Sequence, residues 1–253
     1  MKKHILFELE IFLKYSLFLF YGGFMSATKN VSNTHTYYGN SEINFFTDNN
    51  EGLSVTIDTD NLHIRSVQAT ETEYDRYALL YGDKDVMAKL GTGQTKTREE
   101  IQTRINDSWV KRWRENNPYS GLAIFKNDSD DFIGHVVLGH GDAPGESEVS
   151  YLFHRAHWRK GYGSEAVTAV VREYAPATVK EGYILDGKAL EKIVATARPD
   201  NPASCRILEK VGMHFTHAAE KYGAVRHHYS MDLSGLEKKT SSKAVSSWRC
   251  IIL

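Results

Sequence analysis

Cysteine is nearly missing: Cys205 and Cys250 are the only two in 253 residues, which excludes a disulfide framework and suits a reducing compartment. A surplus of one charge is missing too. The 31 Lys and Arg stand against 32 Asp and Glu, a net charge of −1, and the basic residues are spread along the chain, so there is no electrostatic footprint for a nucleic-acid backbone. No apolar run is both long and uncharged. Residues 1–24 come nearest, with Lys2 and Lys3 ahead of an apolar stretch over 11–24, but Glu8, Glu10 and Lys14 break into it, and a spanning helix needs about 20 nearly uncharged residues. Three readings stay open for this leader: an amphipathic or partly inserted anchor, a signal peptide, or a translated upstream leader before a true start at Met25. Metal-ligand spacing is the last absence. His154-x-x-His157 has no third ligand at a recognisable interval, and His227 and His228 are strand neighbours that point to opposite faces. No metal is expected.

Core-forming material, by contrast, is plentiful. With 41% hydrophobic and 25% charged residues, the chain can bury one substantial core with appendages. Residues 25–60, rich in Asn, Thr, Ser and Gly, predict a flexible linker with at most a short strand at 53–57. The domain proper is expected over 61–233. Leu62 and Ile64 alternate as a strand, and 70–81 carries Tyr74, Tyr77, Ala78 and Tyr81 at helical spacing. Thr97-Arg-Glu-Glu100 is a capping box opening a helix with Ile101, Ile105, Trp109 and Trp113 four apart. Strands at 121–126 and 132–138 flank a turn-forming Asn127-Asp-Ser-Asp130. Strands at 149–153 and 193–197 each lead into a helix, the first ending at Pro176, and 182–187 reads as a loop. A closing antiparallel pair starts at Met213 and at His227. The whole predicts an α/β (mixed α+β) domain, a mixed sheet with helices on both faces.

Between the strand at 149–153 and its helix lies Trp158-Arg-Lys-Gly-Tyr-Gly-Ser164. Gly161 and Gly163 lack a Cβ, so the backbone is free to take positive φ and approach a ligand closely. Ser164 and its neighbours present unpaired N–H groups at a helix start, and Arg159 and Lys160 add positive charge, an arrangement that suits a pyrophosphate. A dinucleotide fingerprint would need a third glycine and a P-loop would need Gly-Lys-Ser/Thr after a longer span; neither is present. A tight turn with solvated Arg159 and Lys160 is the plain alternative. Asn201 followed by Pro202 marks a second helix start, and Gly212 the matching stop.

Glu148-Val-Ser-Tyr-Leu152, Trp158-x-Lys-Gly-Tyr-Gly-Ser-Glu-Ala166, Asn201-x-x-Ser204 and Leu208-Glu-Lys-Val-Gly-Met213, in that order, resemble the GNAT superfamily of acyl-CoA-dependent N-acetyltransferases, in particular its RimJ/RimL-like branch. The resemblance spans about residues 60–233. It implies the family fold, a mostly antiparallel sheet splayed at the cofactor site, and acetyl-CoA as cosubstrate. It also implies transfer of the acetyl group to a primary amine on a protein N-terminus, a lysine or a small molecule, in a ternary complex. A catalytically silent acyl-CoA-binding module tethered to membranes is the alternative. Carried over residue by residue, Glu148 is the expected base, acting directly or through water, with a solvated strand-end carboxylate as the alternative. Ser204 is the expected acid, because Leu208 stands where the wider superfamily commonly has a protonating tyrosine. Tyr151, Leu152, Phe153, Arg159, Lys160, Gly161, Tyr162, Gly163, Ser164 and Asn201 are the expected acetyl-CoA-binding residues. The oxyanion donor among them would be a backbone N–H near Leu152 or Phe153, and Asn201 would orient the pantetheine arm. Trp158 departs from the usual Gln or Arg, although an aromatic is common there in this branch. The first two helices of the family form one wall of the amine site, so an exposed Trp113 or Tyr119 would line it. A monomer or homodimer is expected.

Residues 234–253 form a basic tail closing on Cys250-Ile-Ile-Leu253, the Cys-aliphatic-aliphatic-X form of a prenylation box, with Leu favouring geranylgeranyl. Lys238, Lys239, Lys243 and Arg249 precede it with Glu237 opposing, a second contact of the kind stable anchoring needs. An apolar tail docked on the domain is the alternative. Prenyl transfer belongs to eukaryotic cytosol and opposes the signal-peptide reading. The expected location is cytoplasmic, or the cytosolic face of a membrane, and for a bacterial source the inside of a host cell.

Overall fold

Three strands precede the expected start of the domain. The computed structural model describes residues 32–127 and 129–233, and in it β1 (Ser32–Tyr38), β2 (Ser41–Asp48) and β3 (Gly52–Asp58) form an antiparallel meander. The linker expected over 25–60 is corrected for this stretch. Ile43 pairs with Ile57 and Phe45 with Val55, all buried, so every second residue faces the core while Asn and Thr fill the other face. Polar composition hid that period. The leader readings for 1–24 and the tail with Cys250 lie outside the described residues.

The meander continues into β4 (Leu62–Ser66), β5 (Gly121–Lys126), β6 (Phe132–His140) and β7 (Glu146–Phe153). A two-stranded hairpin, β8 (Ile184–Leu185) and β9 (Lys188–Ala189), occupies the expected loop, followed by β10 (Lys192–Ala197), β11 (His214–Lys221) and β12 (Ala224–Asp232). The ten-stranded sheet runs β1-β2-β3-β4-β5-β6-β7-β10-β12-β11, and its one parallel pair is β7 with β10. This is the mixed, mostly antiparallel sheet the resemblance implies.

Strand alternation divides the core in two. Ala123, Phe125, Val137 and Leu152 face α1 (Glu71–Gly82), α2 (Lys84–Met87) and α3 (Arg98–Arg104). Leu122, Ile124, Val136, Leu138 and Val149 face α4 (Tyr162–Thr168) and α5 (Pro202–Lys210). The capping box at Thr97 and Glu100 forms as expected. The stripe after it is interrupted, since α3 passes through a π turn, Ile105–Val110, into Lys111–Arg114. That extra residue rotates the helix, so Trp109 packs with the α1 side and Trp113 with the opposite core. Trp113 and Tyr119 are buried, which corrects the expectation that they line the amine site.

Pro176 does not end its helix. After α4 the chain makes a π turn, Ala169–Tyr174, and resumes α geometry over Ala175–Lys180. Proline lacks the N–H that would bond the i−4 carbonyl and its ring clashes there; the wider turn just before it shifts those carbonyls aside.

Candidate active site

The site begins where two strands part. β10 pairs with β7 only at Lys192↔Glu146, Ile193↔Ser147 and Val194↔Glu148, while it stays paired with β12 as far as Ala197↔His227. β7 therefore runs from Val149 to Phe153 with its β10-side backbone groups unpaired by a strand. Which groups these are follows from alternation. The N–H of His154 bonds the Ile133 carbonyl, and a Cβ built on Gly134 would stand 2.1 Å from the Leu152 carbonyl. Residues 152 and 154 thus face β6, and the N–H groups of Tyr151 and Phe153 point into the gap. Of the two expected oxyanion donors, Phe153 is placed for it and Leu152 is not.

At the end of β7 the indole Nε1 of Trp158 donates to the Phe153 carbonyl at 2.7 Å, anchoring the turn. Arg159 has φ 63° and Gly161 φ 90°, and Gly161 is the N-cap of α4. The first helical bond runs from Glu165 N–H to the Gly161 carbonyl, so the N–H groups of Tyr162, Gly163 and Ser164 have no helical carbonyl to bond. The Ser164 hydroxyl is buried without a hydrogen-bond partner, and Arg159, Lys160 and Gly161 are exposed. Donors in excess of acceptors beside two cations fit a diphosphate. One expectation needs correction: Gly163 has ordinary helical dihedrals, and its smallness matters because a Cβ would come within 3.2 Å of the Phe153 ring. Gly161 has open space around it and is needed for its dihedral alone.

Across the gap, Asn201 caps α5, its side-chain oxygen accepting from Ser204 N–H at 3.3 Å. That leaves its NH2 for a ligand. Ser204 Oγ lies 2.9 Å from the Tyr151 hydroxyl, whose pKa is pushed above the ordinary tyrosine value by burial, against the lowering effect of the Ser204 hydrogen bond. Glu148 accepts from Lys221 Nζ at 3.4 Å on both oxygens. A cleft of about 530 Å³ brings together Glu148, Tyr151, Leu152, Asn201 and Ser204. Phe153 and the turn 159–164 lie outside that lining, with Gly163 against the Phe153 ring at the end of β7.

The cleft also exposes residues that sequence reasoning missed. His135, in the middle of β6, is 2% exposed, with Nε2 3.1 Å from the Tyr81 hydroxyl and its ring edge-on to Tyr77, Tyr81 and Trp109. Burial first, and the charge of Arg104 second, lower its pKa to about 3, so it is neutral at physiological pH. The signal was a polar residue inside the otherwise apolar run 132–139. Arg104, Arg112 and Arg226 line the cleft as well; nothing in their spacing marks them. Among the described residues no cluster could hold a metal ion, and no helix is long and apolar enough to cross a membrane.

Known proteins share this fold. The chain is similar to the uncharacterized protein YkkB of Bacillus subtilis (strain 168), 26% identical over 169 residues that cover 65% of this chain and 88% of YkkB. Its structure is similar to a GNAT-family acetyltransferase from Bacillus anthracis, with a TM-score of 0.57 at 21% identity over 70% of this chain and 98% of that one. A similar fold is found in RimL, the ribosomal L7/L12 alpha-N-protein acetyltransferase in complex with coenzyme A, with a TM-score of 0.54 at 15% identity over 69% and 95% of the two chains. Residues 61–214 match the family described as Acetyltransferase (GNAT) domain, and the chain belongs to that family of acetyltransferase enzymes.

Proposed function

We propose that the protein moves an acetyl group from acetyl-CoA to a primary amine, at a protein N-terminus, on a lysine or in a small molecule, by direct attack in a ternary complex. The observation that carries this reading is the parting of β7 from β10 with Glu148 on one side and the Tyr151–Ser204 pair on the other. The diphosphate rests on the N–H groups of 162–164 with Arg159 and Lys160 beside them, and the Asn201 NH2 holds the pantetheine arm.

An amine at neutral pH is mostly ammonium and must lose a proton first. Glu148 takes it, directly or through a water. The nitrogen lone pair then attacks the thioester carbonyl carbon, and the Phe153 N–H donates to the oxygen as negative charge builds on it. When the C–S bond breaks, the sulfur takes the Ser204 proton, and the second proton that the attacking nitrogen sheds as the amide forms returns through water to the serine oxygen. Burial keeps Tyr151 protonated, and its hydroxyl, donating to the Ser204 carbonyl at 3.3 Å and lying 2.9 Å from Ser204 Oγ, holds the serine at the gap. The test is calorimetric titration with acetyl-CoA followed by measurement of free CoA release across an amine panel. Saturable heat and amine-dependent release are expected; absence of any heat sinks the reading.

The Cys250 box supports a separate proposal, that the tail is prenylated and holds the enzyme at a cytosolic membrane face. Its basic residues supply the second contact.

A further inference from the structure

Three guanidinium groups line the cleft, and the carboxylates nearest to them stop short of pairing: Asp186 and Glu115 act on Arg112, and Glu148 and Asp200 on Arg226, only from a distance. Arg226 is 3% exposed. It donates to the Gly91 carbonyl at 2.7 Å and lies 5.2 Å from the Tyr222 ring, while its Nε has no partner at all. Arg112, half-buried, donates to the Tyr119 carbonyl at 3.3 Å. Arg104 stands over Trp109 at 5.3 Å and repels Arg112, on which the pull of Asp186 is the larger charge effect. Among the described residues no ion pair within 4.0 Å reaches any of the three. The other two cations of the lining differ, since Lys89 pairs with Asp200 and Lys96 with Glu100. Glu148 is the one carboxylate in the lining among the described residues, and Lys221 occupies it.

Leaving a buried guanidinium with one carbonyl and an idle donor costs free energy that a counter-charge recovers. Coenzyme A is not this counter-charge. Arg226 alternates with Tyr229 and Met231 of the α5-side core, so it faces the α1 side of the sheet with His135 and Glu148. The diphosphate turn heads α4 on the opposite side, and the pantetheine arm that reaches the gap is uncharged. The missing charge therefore has to come with the other substrate.

We propose that the acceptor is an amine bearing an anionic group, carboxylate or phosphate, that sits on Arg112 and Arg226 with Arg104 at the mouth while the amino nitrogen lies toward Glu148. The proposal rests on the acetyl-transfer reading above. It makes polycationic amines poor acceptors, because they meet the same three charges. Guanidinium forks match both oxyanions in geometry, so the chemistry is shared and the source is left to experiment.

The experiment is calorimetry on the full chain saturated with CoA, titrated with matched amines. The pairs are 5-aminopentanoate against pentylamine, 2-aminoethyl phosphate against ethanolamine, and the peptide Ser-Asp-Glu-Ala against its amidated twin Ser-Asn-Gln-Ala, with cadaverine as the dication. In at least one pair the anionic member is expected to bind about tenfold tighter or more, and the pair that does so names the source. Arg226→Gln is expected to bring that ratio close to one, Arg226→Lys to restore part of it, and Arg112→Gln to reduce it independently should Arg226→Gln fail to fold. Equal binding within every pair, strongest binding of cadaverine, no heat with any anionic amine, or a ratio unmoved by Arg112→Gln and by a folded Arg226→Gln each overturns the proposal. In those cases heat from acetyl-CoA itself leaves the acetyl-transfer reading standing; its absence removes both.

Discussion

The Tyr151 hydroxyl lies 2.9 Å from Ser204 Oγ, joining β7 to the helix α5 on the other side of the gap. With Leu208 buried one turn further along α5, this pair is the hydroxyl source proposed for the leaving sulfur. Ser204→Ala is expected to lower kcat about tenfold or more, and Tyr151→Phe to lower it by less, since the serine proton remains. Steady-state kinetics with both variants decides it; if each stays within about threefold of wild type, a barrier change under ~1 kcal/mol, the acid is elsewhere.

Glu148→Gln keeps the shape and removes the proton acceptor. The expected outcome is a fall in kcat of about a hundredfold with acetyl-CoA affinity unchanged. Stopped-flow turnover beside calorimetry separates the two. A loss of affinity without a loss of kcat would assign Glu148 to binding through Lys221 instead.

Gly161 and Gly163 are to be told apart by substitution. Gly161→Ala forces a side chain into φ 90° and is expected to destabilise the turn by about 1–2 kcal/mol and weaken acetyl-CoA binding, whereas Gly161→Asn is expected to be milder. Gly163→Ala presses on Phe153, and its damage should fall on kcat through the Phe153 N–H. Paired melting and binding curves show whether the two effects separate.

His135 makes stability depend on pH. Its folded pKa of about 3 lies below the unfolded value of 6.5, so between those values the unfolded chain binds the extra proton. Stability is complete above the unfolded value and falls as pH drops toward 3. Between neutral pH and about pH 5 the loss is about 2 kcal/mol. Urea unfolding at the two pH values, with His135→Gln as control, is expected to show that slope in the wild type and a smaller one in the variant.

Cys250→Ser tests the tail. Expressed in a eukaryotic cell, the wild type is expected in the membrane fraction and the variant in the cytosol. Equal fractionation of the two removes the prenylation proposal.

The parts of this molecule legible in the sequence are those made by neighbours in the chain. Thr97 and Glu100 cap their own helix, Asn201 caps α5, and Gly161 sits in the turn it permits. The resemblance pointed to Glu148 and Ser204, whose proposed roles await the kinetics above. What stayed hidden was assembled by pairing. β1 to β3 carry their apolar residues at period two among Asn and Thr, so composition alone reads as linker. The π turns that carry the chain past Pro176 and rotate Trp113 away from Trp109 leave no local mark. Arg226 reaches the cleft only because β12 lies beside β10, and it meets Gly91 across 135 positions.

Glu165 accepts from the Thr59 hydroxyl at 2.6 Å and the Asn61 N–H at 2.9 Å. The family match begins at residue 61, so one of these donors belongs to the added meander. A carboxylate in the first turn of α4 would otherwise be free to swing over the N–H groups meant for the diphosphate and compete with it. Held sideways by uncharged donors from the β3–β4 corner, it is kept from acting as a built-in inhibitor of its own cosubstrate. Shortening the chain to its family core would remove the Thr59 donor and leave Asn61 alone to hold that restraint.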